Sequence, residues 1–189
     1  FLATPDGSRV VYHADEETGT GLYAVDPDGS SAPVALGGTA RGFQLTPDSL
    51  RAVYVDSYFD LHSVPLDGSA SPTLITSRAF LGSLPWRISP DSSRVVHVHQ
   101  ADFYSAPNRI FSTPVDGSAP SVELNLPRAI SDIAGTVEKI MISPDSSRVV
   151  YAGAQDTSQK VELYSAPLAG GAAAVKLSGA LVNGGDVLV

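Results

Sequence analysis

The stretch Ser143-Pro144-Asp145-Ser146-Ser147-Arg148-Val149-Val150-Tyr151 decides the fold, because close copies of it recur through the chain. The other copies occupy residues 4–12, 46–54 and 89–97, and the prolines of successive copies lie 42, 43 and 54 residues apart. An internal repeat of this length is typical of proteins in which every copy forms one supersecondary unit. The repeat therefore predicts the architecture before any single residue is considered.

Each copy is followed by the same series of segments. The Pro-Asp turn leads into a β-branched run, such as residues 94–98, which predicts a strand. A variable loop, a third strand, a turn that usually contains Asp-Gly and a short fourth strand complete the repeat. Four short antiparallel strands that recur every ~40–50 residues predict an all-β fold, a β-propeller built of four-stranded antiparallel blades. The four repeats span about residues 1–40, 41–83, 84–136 and 137–189 of a single propeller domain or part of one.

The composition excludes several classes of function. The chain has 189 residues, 43% of them hydrophobic, no cysteine and a net charge of −8. Without cysteine there is no disulfide, thiolate metal site or cysteine nucleophile. Nucleic acids bind clustered positive charge, whereas the lysines and arginines here are scattered, so no nucleic-acid partner is expected. No apolar run approaches the ~20 residues of a membrane span, so no membrane insertion is expected.

The repeated motif resembles that of a known family. Ser/Thr-Pro-Asp-Gly/Ser-x-Arg-Val-Val-Tyr, followed by Leu-Tyr-x-x-x-x-Asp-Gly as in residues 22–29, is similar to the repeats of TolB-type (WD40-like) propellers. Similar repeats occur in the propeller domains of prolyl-oligopeptidase-family enzymes. The resemblance implies an exported bacterial protein, in the periplasm or outside the cell. It does not choose among the roles of such propellers, which serve as scaffolds, binding modules and gating domains.

An alignment of the two ends of the chain predicts that they belong to one first strand. Placed tail to head, residues 185–189 and 1–6 align with residues 135–145. Three arrangements are open: a segment of a six- to eight-bladed protein, half of an eight-bladed ring that a homodimer completes, or a closed four-bladed ring. Because unpaired blades expose sheet edges, we expect a second copy or further blades.

The loops that vary in length belong to one end of the blades. The turns between first and second strands and between third and fourth strands are short and uniform, whereas the other connections vary. Variation concentrated on one face predicts that this face binds a protein partner or a small ligand. The candidate binding residues on this face and towards the channel are Arg87, His99, Asp102, Phe103, Tyr104 and Arg109.

Each Pro-Asp turn carries an aspartate and, three residues later, an arginine. The aspartate can accept N–H groups of its own turn, and the arginine can cover or pair with it. A catalytic group would not be needed in every blade, so we interpret these residues as structural. They are Asp6, Arg9, Asp48, Arg51, Asp91, Arg94, Asp145 and Arg148.

His97 occupies the position that holds tyrosine in the other three copies, which favours packing over metal binding. His97 and His99 fall on the same face of their strand, and Asp102 follows, so the pair is a weak metal-site candidate. No third ligand has a diagnostic spacing, and we predict no metal or other cofactor. Trp86 aligns with Phe43 and is predicted to lie in the core.

The sequence contains no motif for catalysis. The Gly-x-Ser-x-Gly elbow, the glycine-rich phosphate loop and His-Glu-x-x-His are all missing from it. We therefore predict a non-enzymatic TolB-like propeller that serves as a protein- or ligand-binding scaffold. The alternative is the substrate-gating propeller of a larger prolyl-oligopeptidase-like hydrolase whose catalytic domain lies outside this sequence. A propeller lyase or glycosidase with carboxylates in its channel is a third hypothesis.

Overall fold

The structure, a computed structural model, describes residues 1–16, 19–77, 86–99, 109–125, 137–156 and 160–179. Within these ranges the regular elements are strands, and they form four-stranded antiparallel sheets that we call blades 1 to 4. Blades 1 and 2 contain β1 (Leu2–Ala3), β2 (Val10–Glu16), β3 (Gly19–Val25), β4 (Val34–Gly37), β5 (Ala40–Leu45), β6 (Arg51–Asp56), β7 (Leu61–Pro65) and β8 (Thr73–Thr76). Blades 3 and 4 contain β9 (Trp86–Ile88), β10 (Arg94–His99), β11 (Arg109–Pro114), β12 (Val122–Glu123), β13 (Val137–Ile142), β14 (Arg148–Gly153), β15 (Glu162–Pro167) and β16 (Val175–Lys176).

Strands that are consecutive in the chain are neighbours in each sheet, from β1-β2-β3-β4 in blade 1 to β13-β14-β15-β16 in blade 4. Every pairing is antiparallel, as short connections require. The predicted all-β fold with four-stranded antiparallel blades is therefore confirmed. Residues 185–189, which were aligned with a first strand, lie outside the described residues.

The chain divides into two compact units. The first contains Phe1–Arg78 and the turn Val115–Ser118, and the second contains Ala79–Pro114 and Ala119–Val189. The core of the first unit is formed by Val11, Leu22, Ala24, Leu36, Ala52, Tyr54, Val64 and Leu66. The core of the second is formed by Val96, Val98, Ile110, Leu124, Val137, Ile140, Val149, Tyr151, Tyr164, Ala166 and Leu168.

In blades 2 and 3 the second strand is buried on both faces. In β6 all four residues from Ala52 to Val55 are buried, and in β10 so are those from Val95 to Val98. Successive side chains of a strand point to opposite faces, so burial of both sets requires that both faces of the sheet be covered. This explains the continuous Val-Val runs of the repeat, which would alternate with polar residues in a half-exposed strand.

A hydroxyl group and a carboxylate close the turn that begins each repeat. In blade 4 the Ser143 hydroxyl donates to Asp145 Oδ1 at 2.5 Å and accepts the N–H of Arg148 at 3.0 Å. Asp145 Oδ1 also accepts the N–H of Ser147 at 3.1 Å. The Ser143 hydroxyl and the Ser147 donors lower the pKa of Asp145 from 3.8 to about 2. A matching set of donors lowers the pKa of Asp6 to about 2.

The turn arginine reaches the third strand of its own blade. Its Nε donates to a buried serine hydroxyl in each of three blades. The pairs are Arg51 and Ser63 at 2.8 Å, Arg94 and Ser112 at 2.6 Å, and Arg148 and Ser165 at 2.7 Å. These hydrogen bonds of the arginine therefore go to the third strand, whereas the turn aspartate takes its bonds from the turn.

Candidate functional site: the loop ends of the blades

Each blade has two ends. We call the end that holds the Pro-Asp and Asp-Gly turns the turn end, and the end where the second strand passes into the third the loop end. In blade 2 the loop end is a tight turn in which Asp56 Oδ1 accepts the N–H groups of Tyr58 at 2.8 Å and Asp60 at 2.9 Å. Phe59 has φ 67°, a left-handed conformation that is uncommon for a bulky residue. The bonds of Asp56 hold this conformation and fix the turn.

This turn presents an aromatic side chain to solvent. Tyr58 is 79% exposed, although its own N–H and the N–H of Phe59 both donate hydrogen bonds to Asp56. The neighbouring Phe59 ring lies under the guanidinium of Arg41, whose Cζ is 4.4 Å from the ring centroid. An exposed tyrosine on a fixed turn is a typical anchor of a protein interface.

Asp56, Asp60 and His62 form a group of potential metal ligands, with one ligand atom of each within 4.8 Å of the others. Two carboxylates and an imidazole suit a transition metal. His62 Nε2 lies 3.2 Å from Asp56 Oδ2. Partial burial alone would raise the pKa of Asp56, but the N–H groups of Asp60 and Tyr58 and the His62 ring lower it overall. These hydrogen bonds account for the cluster as part of the turn.

In blade 3 the loop end carries an ion pair. The guanidinium of Arg109 donates from Nε to Glu123 Oε2 at 3.1 Å and makes a second, shorter bond to the same oxygen from Nη2. The bond to Glu123 raises the pKa of Arg109. Arg109 Cζ also lies 5.1 Å from the centroid of the Phe111 ring, and the His99 ring meets the same ring edge-on. Arg109 and His99, both predicted as binding residues, therefore lie together around Phe111.

In blade 4 the same position holds a buried carboxylate. Glu162 is 1% exposed and accepts hydrogen bonds from Tyr164 Oη at 2.9 Å and from Lys176 Nζ at 2.5 Å. Burial alone would raise the pKa of Glu162, but these two donors lower it. Burial and the hydrogen bond to Glu162 raise the pKa of Tyr164. Lys176 Nζ also lies 3.9 Å from Asp156 Oδ2, on the exposed side of the pair.

The ion pairs Arg109–Glu123 and Lys176–Glu162 have opposite orientations. Arg109 and Glu162 both stand five residues before the proline that ends the third strand, and Glu123 and Lys176 both follow a valine of the fourth strand. The backbone geometry is thus repeated, while the charges are exchanged. The loop ends therefore differ in chemistry from blade to blade, which is typical of a recognition surface carried on a repeated scaffold.

A stacked pair of rings spans the second and third strands of every blade. The rings are direct cross-strand partners, and stacking of such pairs stabilises a sheet. The centroid distances are 5.7 Å for Tyr12 and Tyr23, 5.2 Å for Tyr54 and His62, 5.8 Å for His97 and Phe111, and 5.5 Å for Tyr151 and Tyr164.

His97 belongs to this stack. It is 1% exposed, its Nε2 lies 2.9 Å from Thr113 Oγ1, and its Nδ1 is buried with no hydrogen-bond partner in the described part of the chain. Burial, with a smaller effect of His99, lowers the pKa of His97 from 6.5 to about 3. A neutral, stacked imidazole fits the predicted substitution for tyrosine.

The remaining predicted residues lie apart. Arg87 is exposed, and its Nη1 donates to the carbonyl of Trp86 at 2.8 Å. Trp86 is half-buried in the short first strand β9, so its ring is less enclosed than a core position would be. Asp102, Phe103 and Tyr104 lie outside the described residues.

The turn end of the first unit contains a cleft of about 420 Å³. Charged groups of both signs line it, among them Arg9, Arg51 and Asp67. Since most of its lining belongs to the uniform turns of the repeat, we assign this cleft to the structure of the blades.

Sequence reasoning missed the two best-defined features of the loop ends. Tyr58 and its turn could have been found from the segment Asp-Ser-Tyr-Phe-Asp at residues 56–60, where an aspartate precedes two aromatic residues between two strands. The Glu162–Lys176 pair has no comparable signal, because its partners are separated in sequence and are joined only by strand register.

Comparisons with known proteins agree with the blade architecture. The sequence matches no protein-family model and no curated protein. The structure is similar to that of the tricorn protease, with a TM-score of 0.63 and 16% identity over 86% of this chain and 17% of that chain. It is also similar to TolB from Agrobacterium tumefaciens, with a TM-score of 0.54 and 17% identity over 94% of this chain and 60% of that chain.

A third similar structure is the β-propeller domain of Cps50 (Swd1) from Myceliophteria thermophila, with a TM-score of 0.54 and 8% identity. That match covers 86% of this chain and 51% of the other. The chain thus spans between 17% and 60% of the length of these three structures. Among the described residues, no helix is long and apolar enough to cross a membrane. The fold is that of β-propeller blades, of the kind found in TolB and in WD40-like propellers.

Proposed function

We propose that this chain is a non-enzymatic propeller scaffold that binds a protein partner through the loop ends of its blades. The observation that carries the proposal is Tyr58, which is 79% exposed on a turn fixed by Asp56. A side chain held in place before binding loses little conformational entropy when it binds, so more of its contact energy contributes to affinity. The loop ends of blades 3 and 4 each carry an ion pair, and the positions of the positive and negative groups are reversed between the two blades. The loop ends therefore differ in charge from blade to blade.

The proposed organisation follows the repeat. Residues 1–40, 41–83, 84–136 and 137–189, approximately, form four blades of a single propeller domain or part of one. A second copy or further blades complete it. The likeness in fold to TolB supports a place in the bacterial periplasm or outside the cell, and a small ligand at the loop ends is the alternative to a protein partner.

Site-specific photo-cross-linking tests the protein partner. A photoreactive amino acid replaces Tyr58 in one variant and Leu50 in a control. Leu50 is 64% exposed and lies at the opposite end of β6. We expect a discrete covalent adduct with one protein of a bacterial envelope extract at position 58, competed by excess unmodified chain, and none at position 50. Equal labelling at both positions, or none at position 58, would contradict the proposal.

The hydrolase alternative has a different signature. The tricorn protease is a peptidase by name, and this chain matches 17% of it, so a propeller of this size is compatible with a larger enzyme. If the partner captured at position 58 is a hydrolase domain whose activity changes when the chain is added, the gating role replaces the scaffold role. If the chain itself turns over peptide or glycan substrates, both are wrong.

A further inference from the structure

Neighbouring blades meet through a repeated steric contact. In blades 2, 3 and 4 the glycine of the Asp-Gly-type turn lies so close to a β-branched side chain in the fourth strand of the preceding blade that it has no room for a Cβ. A Cβ would stand 2.5 Å from Val34 Cγ1 at Gly68 and 2.6 Å from Thr73 Cγ2 at Gly117, and it would also overlap Val122 Cγ1 at Gly170. Real Cβ atoms do not approach so closely, so these positions require glycine.

Each half of this contact occurs once more among the described residues, the glycine in blade 1 and the β-branched side chain in blade 4. Gly29 of blade 1 occupies the same turn position with φ 70°, and a Cβ there would meet no atom of the described residues within 4 Å. Val175 of blade 4 occupies the β-branched position in β16 and is 55% exposed. Blade 1 thus offers an open glycine, and blade 4 offers an exposed valine.

Charged groups repeat in the same way. Arg9 of blade 1 and Asp67 of blade 2 line the same cleft at the turn end. The hydrogen bonds of Ser69 lower the pKa of Asp67 most, and the charge of Arg9 adds to that effect. The pKa of Asp116 is likewise lowered, mostly by the hydrogen bonds of Ser118 and further by the charge of Arg51. The turn arginine of one blade therefore faces the aspartate of the Asp-Gly turn in the next blade.

The end blades also carry the two halves of this charge pair. Arg148 is the turn arginine of blade 4, and Asp28 is the aspartate next to Gly29 in blade 1. The Nε of Arg148 donates to Ser165, and Asp28 accepts the N–H of Ser30, so each holds its place at its turn end. Blade 4 therefore presents a valine and an arginine, and blade 1 presents the glycine and the aspartate that match them.

We propose that blade 4 of one copy docks on blade 1 of a second copy, with Val175 against Gly29 and Arg148 facing Asp28. A second copy is the occupant because this chain itself carries both complementary halves, in shape and in charge. The contact is heterologous, so each copy uses one end as donor and the other as acceptor. Ser49 and Ser146 each accept a hydrogen bond from the preceding blade, and Gly7 holds the same position in blade 1. The junction between two copies lacks this bond and is therefore weaker than the internal junctions. The fraction of associated chains should then depend on concentration.

Light scattering after size exclusion tests the proposal over a range of chain concentrations. The unaltered chain is expected to exceed its 19.6 kDa monomer mass and to approach it on dilution. Asp28→Arg alone and Arg148→Asp alone each place like charges at the junction and are expected to remain monomeric. An equimolar mixture of these two variants restores opposite charges at every junction and is expected to associate again.

Two controls separate docking from folding. Val175→Arg should abolish association, whereas Leu50→Arg, at another exposed aliphatic residue, should leave the mass of the assembly unchanged. Circular dichroism and thermal unfolding of each monomeric variant establish that it is folded. A 19.6 kDa species at every concentration of the unaltered chain would overturn the proposal. So would a mixture of the two charge variants that stays monomeric.

Discussion

The two blade junctions that lie within single units are built alike in shape but differ in charge. Between blades 1 and 2, Gly68 packs on Val34, and the N–H of Asp6 donates to Ser49 Oγ at 3.1 Å. Between blades 3 and 4, Gly170 packs on Val122, and the N–H of Asp91 donates to Ser146 Oγ at 3.0 Å. Two kinds of contact are therefore kept in both junctions.

The third contact is present in the first junction and missing from the second. Asp67 stands next to Gly68 and faces Arg9, whereas Ala169 stands next to Gly170, where the corresponding arginine is Arg94. The comparison teaches that close packing and the serine hydrogen bond define a junction, and that the surface charge pair is an addition to it.

The largest effect of a substitution at neutral pH is expected from filling the glycine position. Gly170→Val places a branched side chain against Val122 and also strains a backbone with φ 76°. Gly171→Val is the matched control, because Gly171 has φ 84° and open space around it. Overpacking costs about 1–3 kcal/mol, so Gly170→Val should be less stable than the control by about that amount in urea unfolding. Equal stability of the two variants would mean that the close contact does not limit the junction.

Lowering the pH should destabilise the second unit, because the buried His97 resists protonation in the folded chain. Its pKa is about 3 in the folded chain against 6.5 when unfolded, so the unfolded state binds the proton more tightly. Stability is then complete above pH 6.5 and falls by about 1.4 kcal/mol per pH unit between pH 6.5 and 3. His97→Tyr, which introduces the residue of the other blades, should remove this slope. Urea unfolding of both chains between pH 7 and 4.5 measures it, and parallel slopes would contradict the assignment.

A smaller effect is expected at the serines that join blades. Ser146 has φ 57°, a strained value for a residue other than glycine, and its hydroxyl accepts the bond from Asp91. Ser146→Ala keeps the strain and loses the bond, so it should cost about 1 kcal/mol. Ser146→Gly loses the bond but relieves the strain, so it should be nearly neutral.

Ser49, with φ 64° and a bond from Asp6, provides the same test in the first unit. The order of stability should again be glycine above alanine. If alanine is tolerated at both positions as well as serine is, the hydroxyl bond contributes nothing to the junction.

The smallest effect is expected from supplying the missing charge. Ala169→Asp gives Arg94 the partner that Arg9 has in the first junction. Exposed pairs contribute little, so the melting temperature should rise by about 1–3 °C at low salt. The gain should vanish in 1 M salt because screening removes it. A gain that persists at high salt would show that the aspartate acts by another route.

The blades could be predicted from sequence because their signal is local and repeated. Pro-Asp turns, Val-Val runs and Asp-Gly turns identify the strands directly, and every blade repeats them. The equivalence of Tyr54, His97 and Tyr151 likewise indicated a packed histidine. Their stacking partners in the third strand follow from register, which the turns largely determine.

The loop ends could not be predicted to the same extent. The place of Arg109 at the end of a long loop predicts a binding residue, but its ion pair with Glu123 depends on two strands that meet only in the folded blade. Tyr58 lies in a short loop, whereas the variation in length that predicts a binding face is greatest in the long loops. The close contacts of Gly68 and Gly170 with the neighbouring blade could not be predicted from the sequence either. An Asp-Gly pair indicates the backbone conformation of a turn and gives no information about which side chain packs against it.

A double-mutant cycle between Gly170→Ala and Val122→Ala tests the central claim most directly. The cycle cancels the backbone strain of alanine at position 170 and isolates the contact with the valine methyl group. We expect Val122→Ala to recover about 1 kcal/mol or more of the stability that Gly170→Ala loses, measured by urea unfolding. Strict additivity of the two changes would contradict the view that blades are joined by a glycine that leaves room for its neighbour's side chain.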